Sequence, residues 1–99
     1  MDRSELIVTL RAVEPALRAH GVAGLYLFGS QARGDARQDS DVDVFVDKMP
    51  GRPFGLRELM GSYRVLREAL PGRELGFGTR QGLSKHIASD VEREAIRIF

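Results

Sequence analysis

Leu6, Ile7, Leu10, Val13 and Leu17 recur at helical intervals, which predicts a helix at the start of the chain. Asp2, three residues before Glu5, has the spacing of a capping box. Pro15 interrupts the run and predicts a second short helix, because proline is tolerated in a first turn. His20-Gly21 predicts its end. Leu25-Tyr26-Leu27-Phe28 is a short apolar run expected of a buried strand, Gly29-Ser30 turns the chain, and Gln31 to Arg33 suits one short helix. From Asp41 to Asp47 the period changes to two: Val42, Val44 and Val46 fall on one side, Asp41, Asp43, Phe45 and Asp47 on the other. After the loop Met49-Pro50-Gly51-Arg52-Pro53, the residues Leu56, Leu59, Met60, Tyr63, Leu66 and Leu70 predict an amphipathic helix stopped by Pro71-Gly72. Glu74 to Phe77 reads as a third strand. Ser84 reads as the cap of a last helix with Ile87, Val91, Ala95 and Ile98 on one face.

Helices alternating with strands predict an α+β (α/β-like) architecture, a small mixed sheet flanked by helices. The 99 residues make one domain, 1–99, with little room for a second substrate-binding lobe. A large acceptor pocket would therefore need another chain. No apolar run approaches the roughly 20 residues that span a bilayer, so no membrane segment is expected. The N-terminus lacks the basic and apolar regions of a signal peptide. The absence of cysteine excludes disulfides and thiolate metal sites, and a cytoplasmic location fits. A net charge of +1 favours no class of partner. Arginine far outnumbers lysine, present only at Lys48 and Lys85, but the arginines are scattered. With two tyrosines, five phenylalanines and no tryptophan there is little to stack on bases, so nucleic acid is not the expected partner.

The segment from Phe28 to Asp43 carries the chemistry. A glycine after a strand, Gly29, lets the backbone approach a ligand. Ser30, opening a helix, offers free N–H groups beside its hydroxyl, donors suited to a phosphate. Arg33, one turn on, can add a charged fork to a phosphate oxygen. Asp41 and Asp43, two apart on a strand, share a face, and Mg²⁺ is commonly held by one or two carboxylates plus substrate phosphates. Each piece alone is common in turns and on charged strand edges; their joint spacing is what points to a Mg²⁺–nucleotide site.

That spacing resembles the nucleotidyltransferase family related to DNA polymerase β, whose signature is Gly-Ser, ten residues, then Asp-x-Asp. Here ten residues, 31 to 40, separate Ser30 from Asp41. Phe28-Gly29-Ser30-Gln31-Ala32-Arg33-Gly34 and Asp39-Ser40-Asp41-Val42-Asp43 are similar to its minimal nucleotidyltransferase branch, roughly hundred-residue bacterial and archaeal proteins often paired with a helical HEPN-type toxin. The resemblance extends loosely over the chain, including the Gly82-Leu83 turn. It implies a polymerase β-like core in which Gly29 and Ser30 bind a nucleoside triphosphate, ATP, and Asp41 and Asp43 bind Mg²⁺. It implies transfer of AMP to an acceptor hydroxyl, with a HEPN partner in an antitoxin role or a homo-oligomer.

The family's third carboxylate, on the strand after the long helix, helps hold the metal that activates the attacking hydroxyl. Alignment puts Gly76 at that position. Glu74 is the nearest acid, on the same strand face but about 6.6 Å away at ~3.3 Å per residue. It stands as a candidate third ligand. Asp47 shares the parity of Asp41 and Asp43 but is expected to point away from the metal. The alternative reading is therefore a catalytically degenerate nucleotide- or partner-binding module. His20, His86, Lys48 and Arg52 are read as surface or helix-end residues.

Overall fold

The computed structural model describes residues 2–34, 41–83 and 88–99. Ser84, Lys85, His86 and Ile87, and with them the expected cap of the last helix, lie outside the described residues, as do Asp39 and Ser40. Helix α1 (Arg3–Ala12) begins where expected, with the Asp2 carboxylate accepting from the Glu5 N–H at 2.8 Å. Helix α2 (Glu14–Ala19) starts with Pro15 in its first turn. Then come β1 (Val22–Phe28), α3 (Ser30–Arg33), β2 (Val42–Lys48), α4 (Leu56–Ala69), β3 (Leu75–Thr79), a 3₁₀ turn (Arg80–Gly82), α5 (Ala88–Glu94) and β4 (Ile96–Arg97).

The strands form one mixed sheet in the order β3-β2-β1-β4. The β1–β2 and β1–β4 pairs are antiparallel, and β2–β3 is parallel through the crossover helix α4. On one face Val42, Val44, Val46, Leu25 and Leu27 pack against Leu6, Leu10, Leu17, Leu66 and Leu70 in a single cluster. Each fully buried leucine contributes about 1.5–3 kcal/mol relative to exposure, before chain entropy is set against it. The Tyr63 ring meets Phe77 at 6.0 Å, holding α4 over β3. Gly61 lets α4 approach α2, because a Cβ there would fall 2.5 Å from the His20 ring nitrogen Nδ1. Arg52 donates to the Ala19 carbonyl at 2.7 Å, satisfying the end of α2 rather than reaching toward a ligand.

Two expectations are corrected. The last helix does not run on to Ile98: it ends at Glu94, Ala95 donates to the Val91 carbonyl at 2.8 Å, and the chain then pairs with β1. Val91 and Ile98 are both buried, so helical spacing and strand alternation each place Ile98 inside. The open edge of β1 decides between them by supplying backbone partners, Ile98 donating to the Leu25 carbonyl at 2.8 Å. In α4, Leu56 and Met60 are 73% and 55% exposed. The buried stripe is rotated to take in Ser62, whose hydroxyl donates to the Glu58 carbonyl and can therefore be buried at little cost. Among the described residues no helix is long and apolar enough to cross a membrane.

Candidate nucleotide site

The second face of the sheet carries the polar residues of β2. Phe28 pairs with Asp43 across the β1–β2 ladder, and Asp43 pairs with Gly76 across the β2–β3 ladder. One carboxylate thus sits where the end of β1, the start of β2 and the start of β3 converge. Gly29, immediately after β1, takes φ 73° and ψ −155°, a conformation open to glycine at little cost. A Cβ on Gly29 would lie 2.6 Å from Asp43 Oδ2, and one on Gly76 would lie 2.3 Å from Asp43 Oδ1. Glycine at both positions is what lets the Asp43 carboxylate lie between the two backbones.

Ser30 opens α3 directly after Gly29, and the Ala32 and Arg33 N–H groups both reach the Gly29 carbonyl at 3.1 Å. The helix is thereby hinged on the residue that cradles Asp43. Arg33 ends α3, and its Nη1 lies 3.4 Å from Glu94 Oε2. Asp41 is exposed just before β2. Burial pushes the Asp43 carboxyl above its ordinary value, the charge of Asp41 pushes it further, and Arg33 opposes both. Two carboxylates, one of which raises the cost of ionising the partly buried other, beside a strip of backbone with no side chain, suit a divalent cation. They would be its protein ligands, with phosphate oxygens supplying others.

Glu74 is exposed ahead of β3, its carbonyl accepting from the Val42 N–H at 2.9 Å. That bond places it alongside the start of β2, two residues before Gly76. Among the described residues no three acidic, histidine or cysteine side chains gather around one point, so Glu74 does not join Asp41 and Asp43 in this arrangement.

Asp47 lies further along the same face and is held by Arg80. Arg80 Nε donates to Oδ1 at 2.6 Å and Nη2 to Oδ2 at 3.0 Å, while Nη1 lies 3.3 Å from Glu92. The same guanidinium lies over the rings of Tyr26 (4.8 Å) and Phe45 (5.0 Å), which stack at 4.8 Å. The Arg80 hydrogen bonds hold the Asp47 carboxyl below its ordinary value despite partial burial. Sequence reading had no pairing for Asp47; its one signal was an aromatic residue, Phe45, alternating with acids. The contact of Glu94 with Arg33 left no signal, being 61 residues distant along the chain.

A parallel crossover that brings a strand end, a short helix and a pair of carboxylates to one corner of a mixed sheet is the layout of a nucleotidyltransferase. The sequence model of the nucleotidyltransferase domain family matches residues 10–98. The protein adenylyltransferase MntA of Thermococcus cleftensis is 33% identical over 104 aligned positions, which cover 93% of this chain and 98% of that protein. A solved structure assigned as a minimal nucleotidyltransferase superposes with a TM-score of 0.73 at 34% identity, over 97% of this chain and 95% of that one. A toxin–antitoxin structure with AMP-PNP shares the fold at a TM-score of 0.64 and 19% identity, over all of this chain and 73% of that one. The chain belongs to the nucleotidyltransferase domain family, in its minimal nucleotidyltransferase branch.

Proposed function

We propose that this chain transfers AMP from Mg²⁺–ATP to a hydroxyl on a partner protein. Gly29, Ser30 and Arg33 hold the triphosphate, and Asp41 and Asp43 are the metal ligands. The observation that carries this reading is the Asp43 carboxylate lying between two positions that lack a Cβ, at the mouth of α3. The relatives support it: one is a protein adenylyltransferase, and one fold neighbour was solved with AMP-PNP in a toxin–antitoxin complex. The family resemblance of the Gly-Ser and Asp-x-Asp segments extends the reading: the acceptor belongs to a HEPN-type toxin and this chain acts in the cytoplasm as its antitoxin.

In the transfer, the acceptor oxygen forms a bond to the α-phosphorus. The bond from that phosphorus to the bridging oxygen breaks, pyrophosphate leaves with the electron pair, and the hydroxyl proton is released. Mg²⁺, when bound, neutralises charge developing on the phosphates and orients the leaving group. Gly29 gives the phosphate chain access to the backbone, Ser30 offers its hydroxyl beside it, and Arg33 supplies a positive charge.

A second reading keeps the nucleotide and drops the chemistry. It is favoured by Gly76 facing Asp43 in register and by Glu74 standing apart from the pair. Thermal unfolding with ATP and Mg²⁺, beside an Asp41→Asn/Asp43→Asn variant, tests the site. A ligand bound only by the native state adds ~2.7 kcal/mol at a hundredfold excess over its Kd. A Mg²⁺-dependent rise absent from the variant is the expected result; an equal rise in both proteins means that these aspartates do not hold the metal. Label transfer from ATP to a co-expressed partner then separates the two readings. Transfer lost in Glu74→Gln identifies Glu74 as a ligand, whereas binding without transfer supports the degenerate module.

A further inference from the structure

The junction between α5 and β4 lies beside the junction between β1 and α3. Ile96 pairs with Leu27, so Glu94, two residues before Ile96, is brought back to the level of Gly29, two residues after Leu27. The result is a carboxylate at the mouth of the candidate phosphate cradle, 3.4 Å from the Arg33 guanidinium. Both side chains are nearly half exposed, at 47% and 41%. An ion pair of that kind is weak and exchangeable, worth at most about 1 kcal/mol. A triphosphate carries more charge and matches the guanidinium fork at least as well as a carboxylate does.

We infer that Glu94 is an internal counter-anion: it occupies Arg33 in the nucleotide-free protein and is displaced when a triphosphate takes the guanidinium. The inference rests on the nucleotide reading above and adds a residue that sets affinity from outside the Gly-Ser and Asp-x-Asp segments. It also links the site to the rest of the molecule. Glu94 closes α5, and Glu92 of the same helix holds Arg80 on the far part of the polar face. Nucleotide entry thus breaks the ion pair between α5 and α3 and leaves the one between α5 and the 3₁₀ turn in place.

Calorimetric titration of the whole chain with ATP and Mg²⁺ tests this in four proteins: unmodified, Glu94→Gln, Arg33→Ala and the double variant. Glu94→Gln is expected to bind about three- to fivefold more tightly. In the Arg33→Ala background the same change is expected to give little or no gain, because the anion it removes no longer competes for a guanidinium. Unchanged or weaker binding by Glu94→Gln overturns the inference, as does an undiminished gain without Arg33, which would mean simple repulsion of phosphate by Glu94. Glu94→Ala, judged by the same criteria, replaces Glu94→Gln should that variant fail to fold by circular dichroism. If the unmodified protein and Glu94→Gln are both folded and neither binds ATP, the nucleotide reading falls and takes this inference with it. Binding by the unmodified protein without a gain in the variant sinks the inference alone.

Discussion

Asp43 and Asp47 stand on the same strand, on the same face, four residues apart, and they are opposites. Asp47 has a bidentate arginine, a second anion on that arginine and two stacked rings beneath it. Its charged form is stabilised and its carboxyl is pushed down. Asp43 has glycine on both sides, a second carboxylate nearby and partial burial, and its carboxyl is pushed up. The fold satisfies one acid and leaves the other short of positive charge. The lesson is that position on a strand does not distinguish a structural carboxylate from a functional one. Electrostatic completeness separates the two, and an acid the fold leaves unsatisfied is the candidate for a partner from outside the chain.

The comparison breaks most visibly at Asp43→Asn. If the chain transfers AMP, losing a charge that would hold the metal is expected to lower the rate by at least ~10²–10³-fold, read as label transferred to the partner. Stability is expected to move the other way. The folded state keeps a proton on Asp43 at a pH where the unfolded chain has lost it, so stability falls as pH rises through the window between the ordinary value and the raised one. Above that window the ionised Asp43 is a standing cost, which Asn removes. Urea unfolding at neutral pH should therefore show the variant at least as stable as the parent without ligand, and the Mg²⁺-dependent gain of the parent should fade as pH falls through the same window. A variant that is clearly less stable at neutral pH would mean that Asp43 is held by partners like those of Asp47.

A milder break comes from the glycines. Gly76→Ala places a methyl 2.3 Å from Asp43 Oδ1, so the carboxylate must turn away. A misplacement of this order at a reacting centre is expected to cost on the order of 10²-fold or less in transfer, with the metal-dependent thermal shift reduced in step. Gly78→Ala is the control. A Cβ there meets nothing within 4 Å, although Gly78 lies on the same face opposite Phe45. It should leave transfer and thermal shift alone, and equal effects from the two substitutions would show that chain stiffness, not the Asp43 carboxylate, is what Gly76 governs. The steric contact also bears on any attempt to restore an aspartate at position 76, since the new side chain must first displace Asp43.

Much of this comparison was legible in the residues. The change of period at Asp41 placed Asp43, Phe45 and Asp47 on one face, and the spacing from Gly29-Ser30 singled out Asp41 and Asp43. Alignment singled out Gly76 as the position of the family's third carboxylate, and the parallel pairing of β2 with β3 sets that residue opposite Asp43. What stayed hidden depends on contacts between distant segments. The Arg80 clamp joins Asp47 to a residue 33 positions later, and periodicity has no term for such a pair. The strand β4 was hidden because Ile98 is buried under a helical or an extended reading, and only the open edge of β1 distinguishes them. In α4, Ser62 takes an inner position that apolar counting gives to Met60, because a hydroxyl bonded to its own helix can be buried.

The smallest effect sharpens the contrast from the satisfied side. Asp47→Asn removes the charge from the Arg80 clamp and leaves the guanidinium over Tyr26 and Phe45 with Glu92 as its remaining anion. The pair is about one-third exposed, so the loss is expected at about 1–2 kcal/mol rather than the larger cost of a buried charge pair. Since the Asp47 carboxyl is depressed in the folded state, its contribution is present above the unfolded value and is lost as pH falls through the folded one. Urea unfolding should show parent and variant converging in acid and separating at neutral pH with the variant the less stable, a difference opposite in sign to that of Asp43→Asn. Nucleotide binding should be little changed, because the clamp lies away from Gly29 and Asp43. A large loss of nucleotide affinity in a folded Asp47→Asn protein would place Asp47 in the site after all, and with it the whole acidic edge of β2 rather than its first two aspartates.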